Sequence, residues 1–132
     1  MGKVELFVVG GSAGALGVLQ KMAAALPRDF PAAVCVVLHV APDSPGLVPG
    51  ILSTAGPLPA SHAEDGEPIL PGRIYVARPN HHLVVSEGRR LRLGRGPKEN
   101  RFRPAIDPLF RSAALVMHKS ACGVILSGAL DD

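Results

Sequence analysis

Two short runs of almost wholly apolar residues, Val4–Val9 and Val34–Leu38, are separated by room for one turn and one helix, and this restricts the fold more than any other feature. Strands that read as continuous β-branched and aliphatic runs are buried on both faces, the condition of a parallel sheet sandwiched between helices. The first run stops at Gly10-Gly11-Ser12-Ala13-Gly14, after which Leu16, Leu19, Met22, Ala23 and Leu26 recur at helical spacing until Pro27. A strand, a helix and a second strand in this order form a βαβ unit, so the two strands are expected as parallel neighbours joined by a right-handed crossover. Cys122–Leu126 supplies another buried strand. The helix before it opens at Asp107 as N-cap, with Pro108 at the first helical position, and runs to about His118.

The middle of the chain is less regular. Ala41–Pro59 is broken by Pro and Gly and only weakly helical, and Asp65-Gly66 and Pro71-Gly72 mark turns around short strands, the clearest being Ile74–Ala77. Leu83–Val85 and Leu91–Leu93 flank Glu87-Gly88 and predict a β-hairpin. The expected fold is therefore α/β: a doubly wound, mostly parallel sheet with helices on both faces and a β-hairpin insertion, one domain over residues 1–132. No helix follows the last strand to cover its side of the sheet, so the domain is expected to be incomplete at its C-terminus.

Composition narrows the function classes. With 132 residues, 47% of them hydrophobic, the chain can bury one core, whereas 4% aromatic residues and no Trp disfavour a base-stacking nucleic-acid surface. The net charge of +3 is mild, but Arg89, Arg90, Arg92, Arg95, Lys98, Arg101 and Arg103 supply seven of the 14 basic residues. That stretch is either a solvated hairpin face or a surface for an acidic partner. Cys35 and Cys122 each sit in an apolar strand, as buried free thiols of a reducing, cytoplasmic setting do. Val4–Leu26 is rich in apolar and small residues, as a signal sequence is, but Glu5, Gln20 and Lys21 interrupt it, so no membrane insertion is expected. No His, Cys, Asp or Glu group has zinc-ligand spacing, and no metal is expected.

The chemistry-bearing residues gather at strand ends. Gly10-x-Ser12-x-Gly14 lies between a strand and a helix, the setting of a nucleophile elbow, where backbone N–H groups at the helix start can meet an oxyanion. His39 ends the strand expected beside it, so the two side chains share one edge of the sheet, and a serine needs such a base to become nucleophilic near neutral pH. His62, His81 and His82 are alternatives, without a paired nucleophile. Asp131 and Asp132 follow another buried strand, and either can orient the imidazole. A different reading takes Gly10, Gly14 and Gly17 as the phosphate-binding turn of a nucleotide-binding module. Against it, the G-x-G-x-x-G spacing is absent and the second strand ends in His39 rather than an acid.

Five ordered stretches bring in a family. Val8–Gly14, Val36–Val40, Ala63–Gly66, Leu70–Ala77 and above all Gly96–Ser112 (Gly-Pro-Lys-Glu-Asn-Arg-Phe-Arg-Pro-Ala-Ile-Asp-Pro-Leu-Phe-Arg-Ser) resemble the catalytic domain of CheB-type protein-glutamate methylesterases. The resemblance implies a cytoplasmic serine esterase of chemotactic signal transduction that hydrolyses glutamate γ-methyl esters on chemoreceptor helices, with receptor glutamine deamidation in some members and no cofactor. It places the nucleophile on Ser12, the base on His39 and the orienting acid on Asp132, with Ala13 and Ala129 at the oxyanion. Arg101 and Arg103 become candidates for receptor binding. Where the family usually has Thr and Met, this chain has Ala13 and Ala129, and Ala15 stands where a second Gly is frequent. No receiver domain is read in these residues, so control is expected from a separate response-regulator receiver. A non-catalytic receptor-binding domain is the further alternative that the alanines raise.

Overall fold

In the computed structural model, which describes residues 3–40, 43, 45–99 and 101–127, the first apolar run becomes β1 (Leu6–Ser12) and the second β2 (Ala33–His39), joined through α1 (Leu16–Ala25). The two strands are parallel neighbours. The chain continues through α2 (Val48–Ala55), β3 (Ala60–His62), β4 (Ile74–Val76) and a hairpin of β5 (His82–Ser86) and β6 (Arg90–Gly94). It then forms α3 (Ile106–Met117) and β7 (Ala121–Leu126). The sheet is parallel throughout in the order β3-β4-β2-β1-β7, and the antiparallel hairpin stands apart from it.

Alternation along each strand divides the core into two layers. One side buries Val9, Val34, Val36, Leu38, Ile74 and Val76 against Leu19 and Ala23 of α1 and Leu52 of α2. The other buries Leu6, Val8, Cys35, Val37 and Tyr75 against Leu109, Ala113 and Met117 of α3 and against Leu83, Val85 and Leu91 of the hairpin. The hairpin thus does the work of a helix, closing a face that would otherwise be wet. The expected α/β sandwich, with helices on both faces and an inserted hairpin, is the fold found.

Four local expectations change. β7, expected as a buried strand with a buried Cys122, has no fully buried residue among those described and Cys122 is only half-buried, because β7 is an edge strand of the sheet. β1 does not end at Val9 but runs through both glycines to Ser12, because β2 and β7 flank it and continue to offer ladder partners. Ser12 consequently has extended backbone, φ −81° and ψ 171°, rather than a strained elbow, and the reversal falls in a single 3₁₀ turn, Ala13–Ala15. The cap of α3 lies two residues earlier than the sequence suggests, at Ala105, with Asp107 in the first turn. Pro108 is tolerated there because N–H groups of a first turn have no intrahelical acceptor to lose.

Candidate active site

Chain order places β1 where the winding of the sheet reverses. From β1 the chain moves outward to β2 and β4 on one side, then returns over the other face through α3 to lay β7 on the opposite side. Loops at the carboxyl ends of β1 and its neighbours diverge at such a point and leave a crevice, which is where ligands bind in sheets of this kind. Ser12 is the last residue of β1, and its register partner is His39, the last residue of β2.

Strand parity then decides which face they share. Leu6 and Val8 point to the α3 layer, as do Ala33, Cys35 and Val37, so Ser12 and His39, each an even number of residues further on, emerge on that same side. Neighbouring strands lie about 4.8 Å apart, so opposed residues on one face stand side by side. Nothing in this juxtaposition depends on a loop. No side-chain hydrogen bond joins the two among the described residues; the imidazole instead lies flat against Phe102, ring centroids 3.7 Å apart and planes inclined by 7°. Partial burial lowers the His39 pKa, keeping the ring neutral and able to accept a proton.

Glycine permits the close approach that shapes this edge. A Cβ on Gly10 would lie 2.8 Å from two side-chain carbons of Ile106, at the start of α3, so that helix can settle onto β1 only because the position is empty. On the opposite face a Cβ on Gly11 would meet Ala15 Cβ and the Leu126 carbonyl oxygen at 3.0 Å each. Beside the imidazole opens a cavity of about 190 Å³ lined by His39, Glu99, Phe102, Ala105, Ile106, Asp107 and Ile125. Its lining combines apolar residues with two acidic ones, Glu99 and Asp107.

Ala13 opens the 3₁₀ turn directly after Ser12, and the N–H groups at the start of such a turn have no acceptor within it. Asp131, Asp132 and Ala129 lie outside the described residues. Arg103 is spent on the molecule itself: its guanidinium donates to Asn80 Oδ1 at 3.0 and 2.8 Å and to the carbonyls of Arg95 and Gly96 at 3.3 and 3.1 Å. Arg101 is exposed, with φ 73°. Of the other histidines, His62 ends β3, two strands away from β2, and His81 Nδ1 bonds the Pro79 carbonyl at 2.9 Å. His82 is 6% exposed and bonded at both ring nitrogens. None of them stands beside Ser12. Phe102 is the residue that sequence reasoning missed as an individual, although it lies inside the most distinctive motif.

The basic stretch is partly neutralised. Arg89 pairs with Glu5, Arg92 with Asp65 at 3.5 Å, and Arg90 donates to the Gly66 carbonyl. Among the described residues no cluster of three or more His, Cys, Asp or Glu side chains could hold a metal, and no helix is long and apolar enough to cross a membrane. Both cysteines are free, Cys35 fully buried.

Comparison with known proteins gives a consistent result. Residues 7–132 match the family model described as CheB methylesterase. The protein-glutamate methylesterase/protein-glutamine glutaminase 2 of Anaeromyxobacter dehalogenans is 38% identical over 126 residues, covering 96% of this chain and 37% of that protein. A Myxococcus xanthus protein of the same description, numbered 4, is 41% identical over 122 residues, which are 92% of this chain and 34% of the relative. The chain thus spans little more than a third of the length of these relatives. The crystal structure of the Thermotoga maritima CheB methylesterase catalytic domain superimposes with a TM-score of 0.88 at 30% identity, covering 99% of this chain and 71% of that one.

Proposed function

Because this chain belongs to the CheB methylesterase family, we propose that it hydrolyses γ-methyl esters of glutamate on chemoreceptor helices, with deamidation of receptor glutamines as a second outcome of the same chemistry. The observation that carries the reading is the Ser12–His39 register pair, two strand ends side by side on one face of the sheet at its switch point. Ser12 Oγ attacks the ester carbonyl while His39 takes the hydroxyl proton, forming a tetrahedral intermediate whose oxyanion meets backbone N–H near Ala13. His39 returns that proton to the departing methoxide, which leaves as methanol. Water then attacks the acyl-enzyme through the same base, freeing the glutamate side chain and restoring Ser12. With a glutamine substrate, ammonia leaves in place of methanol. Asp132 is the proposed partner that orients the imidazole, and Ala129 a second oxyanion contact.

Two features support an esterase over a nucleotide-binding module. The chain at Ser12 is an extended strand end followed by a 3₁₀ turn, and β2 ends in a base rather than in an acid suited to a ribose. A methyl-esterified chemoreceptor, incubated with the protein, should release methanol, and Ser12→Ala should abolish release by at least about 10³-fold while leaving the fold intact. Undiminished release by Ser12→Ala would remove the nucleophile. No release by the folded wild type would leave the non-catalytic receptor-binding alternative.

A further inference from the structure

Phe102 is 41% exposed, so the core does not need it, yet the segment that carries it is braced at every level. Glu99 and Phe102 exchange backbone hydrogen bonds of 3.0 and 2.9 Å, closing a tight loop between them. The Glu99 carboxylate is held in a two-point fork by Arg111 of α3, both contacts 3.2 Å. Arg103 ties the flank of the loop to Asn80 and to two carbonyls just past the end of β6. Across the base of the segment lies His82, whose Nε2 contacts the Pro97 carbonyl at 2.8 Å while its Nδ1 contacts the Ala105 N–H at 3.2 Å. A carbonyl can only accept and an amide N–H can only donate, so this pair of bonds fits an imidazole protonated at Nε2 alone. One buried ring thereby joins both ends of the segment.

The purpose of this bracing is visible at the closing residue itself, where the Phe102 ring covers one whole face of His39. An imidazole at a strand end can turn about two side-chain bonds, and a single hydrogen bond at one ring nitrogen leaves rotation about that bond open. A parallel ring at contact distance removes the remaining freedom without touching either nitrogen. We infer that Phe102 is a positioning residue for His39, and that the braced Pro97–Ala105 segment exists to hold its ring against the imidazole. The inference rests on the reading of His39 as the general base.

Proton NMR of the His39 ring, with hydrolysis kinetics alongside, tests it in wild type, Phe102→Leu and Phe102→Tyr. Stacking at this distance should shift the His39 ring protons upfield, a shift lost in Phe102→Leu and kept in Phe102→Tyr. In parallel, kcat should fall on the order of tenfold in Phe102→Leu with KM unchanged, and Phe102→Tyr should restore it, as expected when geometry rather than binding is lost. Unchanged kcat in Phe102→Leu would overturn the inference, and so would a change confined to KM, which would make Phe102 a substrate contact instead. His39→Gln separates this failure from that of the premise. If that variant hydrolyses at the wild-type rate, His39 is not the base and the positioning role falls with it, whereas the ring shift, read without turnover, still reports the stack in the wild type.

Discussion

His39 sits at a strand end where water reaches only part of its ring, and the loss of hydration penalises the charged form more than the neutral one. Its pKa is lowered by that burial, so the imidazole is unprotonated at neutral pH, as a proton acceptor must be. The unfolded chain therefore binds this proton at higher pH than the folded one, so the stability associated with the neutral ring is complete above the ordinary histidine pKa. It is lost as pH falls through the lowered, folded value. Activity governed by His39 should decline on the acid side with a midpoint below about 6.5, and a His39 resonance followed from pH 8 to about 4 should titrate at that midpoint. A midpoint at or above the free-histidine value would mean that the ring is better hydrated or better paired than its surroundings indicate. That Ser12 and His39 share one edge of the sheet was legible in the amino-acid order, since each closes an apolar run of a βαβ unit. Phe102 was not, because its stack joins residues 63 positions apart through a loop with no periodicity. Asp132, assigned only by resemblance, lies outside the described residues.

At the scale of elements, what could be read in advance was whatever left a period or a punctuation mark. The βαβ unit announces itself through two apolar runs and a helical stripe, and the hairpin through Glu87-Gly88, where Gly88 and Arg89 take the positive φ values, 80° and 58°, of the turn. The extent of β1 and the start of α3 were misplaced for one shared reason: each is settled by a neighbour. β1 lengthens because strands flank it on both sides, and α3 begins at Ile106, which packs where Gly10 leaves space. Gly123 plays the same part further along, a Cβ there coming within 2.8 Å of the Phe110 ring. These contacts make Gly10→Ala an overpacking substitution that should lower stability by about 1–3 kcal/mol and disturb the α3 side of the active edge. Gly17, inside α1 and with nothing within 4 Å of the place a methyl group would take, is the control. Gly17→Ala should raise stability by roughly 0.5–1 kcal/mol through helix propensity alone. Urea midpoints of the two variants should therefore move in opposite directions from wild type. A shift of Gly10→Ala in the stabilising direction would mean that α3 does not rest on β1 as described.

Taken as a whole, the molecule carries half of its basic residues on the hairpin and the stretch that follows it, and composition alone does not decide whether those charges meet a partner. The fold answers part of that question. Arg89, Arg90, Arg92 and Arg103 are engaged within the chain, so their charge is partly compensated or their donors are committed. Arg95 and Lys98, by contrast, are exposed and carry no ion pair among the described residues, and they belong to the stretch that leads into the braced loop beside His39. Charges in that place can steer an acidic helix toward the active edge without entering the chemistry, because a field acts over a Debye length of about 8–10 Å whereas bond-making needs contact. The double reversal Arg95→Glu with Lys98→Glu should therefore slow association with methylated chemoreceptor roughly tenfold at low salt, the loss shrinking as salt is added. Hydrolysis of a small uncharged activated ester, which needs Ser12 but no steering, should keep its wild-type rate. Stopped-flow association at two ionic strengths, beside the small-ester assay, reads both quantities on one preparation. Equal losses in the two assays would place Arg95 and Lys98 in the support of the site rather than in recognition. Unaltered, salt-insensitive association would return the whole basic stretch to a solvated face.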